Sequence, residues 1–190
     1  MTRALLVIDM QRAFDDLDYW GATTNPACEA NVAALIDAWT VAGEPIVVVR
    51  HDSTSPDSPL HPENSGNALV DAVAGVLPAL TVTKSVNSAF YGDPDLRAWL
   101  EGQKISELVV CGIQTNMCVE TTARMAGNLG YDVTVALDAT RTFDLKAEIA
   151  GLGIVTRTAA ELMATTALDL QAGGFAKISS TAELIGDNRT

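Results

Sequence analysis

Three residues with reactive head groups each close or follow an apolar run: Asp9 after "ALLVI", Lys84 after "LTVT" and Cys118 beyond "ELVVCG". A carboxylate, an ammonium and a thiol form a workable set for attacking a carbonyl compound. The thiolate is the nucleophile, and a nearby cation together with a helix N-terminus lowers the pKa at which it forms. A carboxylate within reach takes the thiol proton and later returns it to a leaving amine. The stretch "LVVCGIQTNMCVETTARMAG" (108–127) puts Cys118 where an apolar run hands over to a helix, read over 118–129. First-turn N–H groups of such a helix have no partner within it, so they can hold a developing oxyanion.

Each residue also has a plain structural reading. A lone cysteine is most often a small buried hydrophobe. An aspartate after a strand commonly caps a turn, and Lys84 by itself passes for a surface lysine. An acid that ends a buried apolar run is costly to leave unpaired, which favours a partner such as Lys84. Cys111 sits inside an apolar run and reads as core. Cys28 lies in the first turn of a well-signed helix, where a thiol pKa can fall, yet nothing else points to chemistry there and it reads as structural.

The elements that must position these groups alternate along the whole chain. Residues 4–9, 45–50, 80–84, 107–112, 132–137 and 175–179 read as strands, several of them apolar throughout, the mark of strands covered on both faces. "NPACEANVAALIDAWTVAG" predicts a helix with Asn25 as N-cap, Pro26 at its first position, Val32, Leu35, Ile36 and Trp39 on one face, and Gly43 at its end. "GDPDLRAWLEGQ" repeats the device, with Asp93 as cap and Pro94 after it. Strand–helix alternation implies a three-layer α/β/α fold around a mostly parallel six-stranded sheet with Rossmann-like topology. Ligands of such sheets sit beyond the carboxyl ends of the strands, where Asp9 and Lys84 fall. The Pro-, Ser- and Asp-rich segment 51–67 reads as a loop bordering that edge. "GLGIVT" (151–156) lacks the full glycine fingerprint of a nucleotide loop, and Asp138 with Arg141 reads as a structural pair.

Composition narrows the class. The 190 residues suit one domain with a substantial core, and 12 Lys and Arg against 24 Asp and Glu leave a net charge of -12. That balance argues against nucleic acid and anionic membranes as partners. The first apolar run breaks at Asp9, too soon for a signal peptide, and no run is long enough to span a bilayer. Three cysteines without a disulfide pattern then suggest a cytoplasmic protein.

Four segments in order, "LLVIDMQRAF" (5–14), "TKSVNSAFYG" (83–92), "VVCGIQTNMCVETTARMAGNLGYDVTVALDAT" (109–140) and "GGFAKISST" (173–181), carry a resemblance to the isochorismatase-like cysteine hydrolases. That family includes nicotinamidases and N-carbamoylsarcosine amidases. The resemblance implies that Asp9, Lys84 and Cys118 are a catalytic triad. It also places a cis peptide bond at Ile113–Gln114, whose role would be to aim the Gln114 N–H, with that of Cys118, at the substrate oxygen. It implies a homodimer or higher homo-oligomer as well. Phe14, Trp20, Phe90 and Tyr91 are the expected aromatic walls of the pocket, and Gln11 is expected to hold a loop. "RHDS" (50–53) resembles metal-free members, whose loop borders the substrate, so His51 joins the expected contacts.

Two departures matter. The chain has two histidines, His51 and His61, with Asp52 and Asp57 nearby, but not the Asp-x-His spacing with two further histidines of nicotinamidases. No metal and no cofactor are therefore expected. Met163 stands near a point where many metal-free relatives carry histidine, so a contact made there is expected to be missing. The reading is a hydrolase of the C–N bond of a small amide or carbamoyl compound acting through a thioester. The alternatives are an isochorismatase-type vinyl-ether hydrolase releasing pyruvate and a non-catalytic binding or scaffold protein on the same fold.

Overall fold

The computed structural model describes residues 2–186. Its strands are β1 (Thr2–Ile8), β2 (Ile46–His51), β3 (Leu80–Lys84), β4 (Ile105–Ile113), β5 (Asp132–Arg141), β6 (Leu145–Ile149), β7 (Gly153–Arg157) and β8 (Lys177–Ser179). The helices are α1 (Leu17–Trp20), α2 (Cys28–Ala42), α3 (Asp71–Ala74), α4 (Leu96–Gly102), α5 (Glu120–Asn128), α6 (Ala159–Ala172) and α7 (Thr181–Gly186). Six strands form a parallel sheet in the order β3-β2-β1-β4-β5-β8, as expected from the apolar runs. The remaining two, β6 and β7, form a separate antiparallel hairpin that the sequence pattern did not reveal.

The continuous apolar character of β1 has a direct cause. Leu5 and Val7 point into one layer with Val32, Leu35, Ile36 and Trp39 of α2, while Ala4, Leu6 and Ile8 point into the other with Leu96 and Leu100 of α4, Ala123 and Ala126 of α5 and Leu170 of α6. Successive side chains of a strand alternate faces, so a strand buried on both sides must be apolar at every position. The face of α2 is the expected one, and Gly43, at φ +67°, ends it by donating to Thr40 and Trp39 carbonyls.

Local punctuation differs at three places. Asn25 does not cap α2, which starts at Cys28: its side-chain amide donates to the carbonyls of Asp138 (2.8 Å) and Thr140 (2.6 Å), tying this turn to β5. Asp93 does not cap α4 either. Its backbone exchanges two 2.9 Å hydrogen bonds with Thr83, the Asp93–Pro94 bond is cis, and Asp95 caps the helix by accepting from the Ala98 N–H. The helix expected from 118 begins earlier, as a π-helical turn over Thr115–Val119 that runs into α5, so Cys118 lies inside the turn rather than at its first residue.

β1 and β4 stay in register to the edge that carries the site, with Ile8 opposite Gly112. A Cβ on Gly112 would stand 2.0 Å from the Ile8 carbonyl oxygen, and its φ of +119° is one that L side chains rarely adopt. Only glycine lets the strand before the nucleophile turn lie this close to the strand before Asp9. Gly112→Ala is therefore expected to remove more than about 3 kcal/mol of stability in urea unfolding. Gly151→Ala, at φ +81° with open space around it, costs only about 1–2 kcal/mol.

Candidate active site

The strand order β3-β2-β1-β4 places four carboxyl ends side by side, and each delivers one group. Lys84 ends β3 in register with His51, which ends β2. Asp9 follows β1; its N–H still bonds the Val49 carbonyl at 2.9 Å, but its φ of +50° turns the chain out of the sheet. Aspartate tolerates this left-handed region better than most residues. β4 ends in Ile113, the Ile113–Gln114 peptide bond is cis, and the π-helical turn then presents Cys118. Thr115 donates to the Thr140 hydroxyl at 2.8 Å and Thr142 to the side chain of Asn116, so the end of β5 pins that turn.

The sequence expectation that Asp9, Lys84 and Cys118 converge matches the geometry. Lys84 Nζ lies 2.5 Å from Asp9 Oδ2, 3.3 Å from Cys118 Sγ and 3.2 Å from His51 Nδ1. The Asp9 and Lys84 side chains are both 0% exposed. Asp9 Oδ1, by contrast, has no hydrogen-bond partner among the described residues. Carboxylate, imidazole and thiol each have an atom within 4.8 Å of the other two, which makes Asp9, His51 and Cys118 a grouping with the donor types a metal ion uses. The Lys84 ammonium already approaches all three and occupies the place of a cation there.

Gln11, fully buried, holds this edge as expected. Its amide donates to the His51 and Asn67 carbonyls at 3.1 and 2.9 Å, and its oxygen accepts the His51 N–H at 2.8 Å. Asn67 completes the clamp by donating to the carbonyls of His51 and Leu60 and to Asp52, and by accepting from Arg50. Arg141 pairs with Asp15 at 3.2 Å, while Asp138 accepts from Thr181, so those two residues do not pair with each other.

The pKa expectation for the thiol is overturned. Burial pushes Cys118 up to about 12, the Asp9 charge pushes the same way, and Lys84 only partly offsets them. A cation and a helical turn lower a thiol pKa where water still reaches the sulfur; here Cys118 is 7% exposed and faces a carboxylate. Asp9 is raised too, because desolvation outweighs the opposing Lys84 charge. His51 is lowered by burial and by Lys84, which keeps the imidazole neutral as an acceptor. Near neutrality the thiol is therefore protonated, beside an Asp9 carboxyl group whose Oδ1 has no partner among the described residues. Cys28, pushed up to about 12 by burial, is inert core as read.

Above the cluster lies a cavity of about 320 Å³ lined by Asp9, Phe14, Trp20, His51, Ser58, Leu60, Asn87, Gln114, Met117, Cys118, Phe143 and Leu145. Phe14, Trp20 and Phe143 pack with centroids 4.8–6.0 Å apart and form one aromatic wall. Phe90 and Tyr91 do not reach the cavity, contrary to expectation. Phe90 is buried 6.0 Å from Tyr131 in the outer layer, and Tyr91 is 72% exposed. His61 accepts from the Glu63 N–H outside the cavity, and Met163 lines a separate depression with Asn25, Leu137 and Asp138. Sequence reasoning missed Asn67, Asn87, Phe143 and Leu145. A phenylalanine in a charged segment and asparagines in loops leave no pattern that marks a site.

The fold is that of a known family. The isochorismatase domain model matches residues 3–167, and the chain belongs to the isochorismatase family. An uncharacterised isochorismatase family protein YrdC of Bacillus subtilis is 37% identical over 144 residues, covering 76% of each chain. Nicotinamidase 3 of Arabidopsis thaliana is 34% identical over 154 residues, covering 74% of each. The crystal structure of a putative hydrolase of the isochorismatase family from Chromobacterium violaceum superposes with a TM-score of 0.90 at 36% identity, over 98% of this chain and 93% of that one.

Burial and the Asp9 charge hold the thiol up and Lys84 opposes them, so Lys84→Met is expected to slow iodoacetamide alkylation of Cys118 at about pH 8.5. Mass spectrometry of the Cys118 peptide reads the rate. Unchanged or faster alkylation in Lys84→Met would show that the ammonium does not ease ionisation of the thiol.

Proposed function

We propose that this chain is a cysteine hydrolase that cleaves the C–N bond of a small uncharged amide or carbamoyl compound bearing an apolar or aromatic group. The observation that carries the reading is the 3.3 Å approach of Lys84 to the Cys118 sulfur beside a buried carboxylate with one free oxygen, beneath a largely apolar cavity. Cys118 Sγ attacks the carbonyl carbon while its proton passes to Asp9 Oδ1. The C–S bond forms, and the carbonyl electron pair moves to oxygen, facing the N–H groups of Gln114 and Cys118. Collapse of the adduct breaks the C–N bond, and the amine or ammonia leaves with the proton from Asp9. Water, deprotonated by Asp9, then attacks the thioester carbon; collapse of this second adduct breaks the C–S bond and frees the acid product, and Asp9 returns the proton to sulfur. Lys84 balances the negative charge through both halves.

The vinyl-ether alternative requires a carboxylate-bearing substrate. None of the cavity-lining residues is a lysine or arginine, and Lys84 beneath them is bonded to Asp9. An uncharged amide suits that lining better. The name of Nicotinamidase 3 supports amide cleavage as a reaction class within the family. A purely scaffolding role leaves an unpartnered carboxylate oxygen and a desolvated ion pair without purpose, since such groups cost stability unless they serve a function.

The test is ammonia release across a panel of neutral aliphatic and aromatic primary amides. Cys118→Ala and Cys118→Ser are expected to lower kcat/KM at least about 10³-fold with circular dichroism unchanged. An active Cys118→Ala protein, or thiol-independent release of pyruvate from isochorismate, would reverse the assignment. The base must be ionised to act, so kcat/KM is expected to rise with pH through the Asp9 pKa, which lies above its ordinary 3.8.

A further inference from the structure

The β6–β7 hairpin stands outside the main sheet, with every residue of β6 exposed and apolar side chains at Leu145 (38%), Ile149 (42%), Leu152 (73%) and Ile154 (68%). Among the described residues no strand lies beside the outer edge of β6, and neither Lys146 nor Glu148 forms an ion pair. A two-stranded hairpin on its own is marginal in water, and an open edge is a template for another strand.

We propose that β6 pairs antiparallel with β6 of a second copy of this chain about a two-fold axis through Ala147, making one four-stranded sheet in the order β7-β6-β6-β7. The sequence of β6, "LKAEI", is complementary to itself in that register and no other. Ala147 faces its own copy, Lys146 faces Glu148 of the second copy, and Leu145 faces Ile149. Side chains alternate along a strand, so Leu145, Ala147 and Ile149 meet their counterparts on one face while both ion pairs form on the other. A two-fold interface requires such self-complementarity.

The other open edges are less suited. Centring β7 on Val155 sets Ile154 opposite Thr156 and Gly153 opposite Arg157, with no charge matched. The outer edge of β3 is partly covered by its bridge from Thr83 to Asp93, and β8 offers only three residues. At a net charge of -12 two copies repel at long range, so association needs local pairs of opposite sign such as these. The pairing also bears on the cavity. Leu145 lines it, and seating β6 against a second strand fixes that wall. The proposal does not depend on the reaction assigned to Cys118.

Sedimentation equilibrium of the full chain tests it by mass alone. The wild type is expected at twice the chain mass. Lys146→Glu and Glu148→Lys singly set like charges opposite each other and are expected to sediment at the mass of one chain at the same concentration. The double variant Lys146→Glu/Glu148→Lys restores the pairing in reverse and is expected to return to the dimer. Ala147→Cys is expected to give a disulfide-linked dimer on mild oxidation, since directly opposed residues bring Cα atoms to about 4.5–5.5 Å. These positions are exposed, so folding is not at risk. A wild-type monomer, a single variant that stays dimeric, or a double variant that stays monomeric would overturn the proposal.

Discussion

The whole arrangement turns on one buried ion pair. Lys84 and Asp9 meet at 2.5 Å with both side chains fully out of solvent, 75 positions apart in the chain. Removing two charges from water costs several kcal/mol each after relaxation, and their attraction offsets this only where geometry is good and further bonds are made. Lys84 finds those bonds at His51 and Cys118. Asp9 does not: among the described residues one of its oxygens has no partner. In the proposed reaction that imbalance is what equips Asp9 as the base, because a desolvated carboxylate is a stronger base than one in water.

Everything nearby serves to hold that pair in place. The parallel order β3-β2-β1-β4 brings Lys84, His51, Asp9 and the Cys118 turn to adjacent strand ends, and the chain changes direction across the sheet between β1 and β4. Glycine at 112 lets the two central strands close up at that point. Gln11 and Asn67 tie the ends of β1 and β2 to the following loop through buried amides, each bonded on both its oxygen and its nitrogen. Buried amides bonded at both ends fix a unique geometry where an apolar contact would tolerate sliding.

Much of this was readable before the structure. Strands buried on both faces leave uninterrupted apolar runs, so the six strands of the main sheet and the charged residues at their ends were visible, and the family motifs supplied the partnership of Asp9, Lys84 and Cys118. The misses have physical causes. The hairpin of β6 and β7 has no buried face, and the five-residue alternation of "LKAEI" is too short to mark a strand on its own. Asn25 and Asp93 look like helix caps by type and spacing, but tertiary hydrogen bonds to β5 and β3 claim them first. Phe90 and Tyr91 sit in the motif that carries Lys84, yet a 3₁₀ turn directs one into the outer core and leaves the other in solvent. The thiol pKa was misjudged because burial cannot be read from a helix start. A sulfur at 7% exposure beside a carboxylate titrates up, not down.

Covalent chemistry at a thiol that is protonated at rest, with its proton passed to Asp9 as the bond to carbon forms, is the central claim. Rapid acid quench during turnover of an amide substrate, followed by mass spectrometry of the Cys118 peptide, tests it most directly. A fraction of that peptide heavier by the acyl group is expected, absent from the Cys28 and Cys111 peptides and absent when substrate is exhausted. Sustained turnover with Cys118 unmodified at every quench time would contradict it.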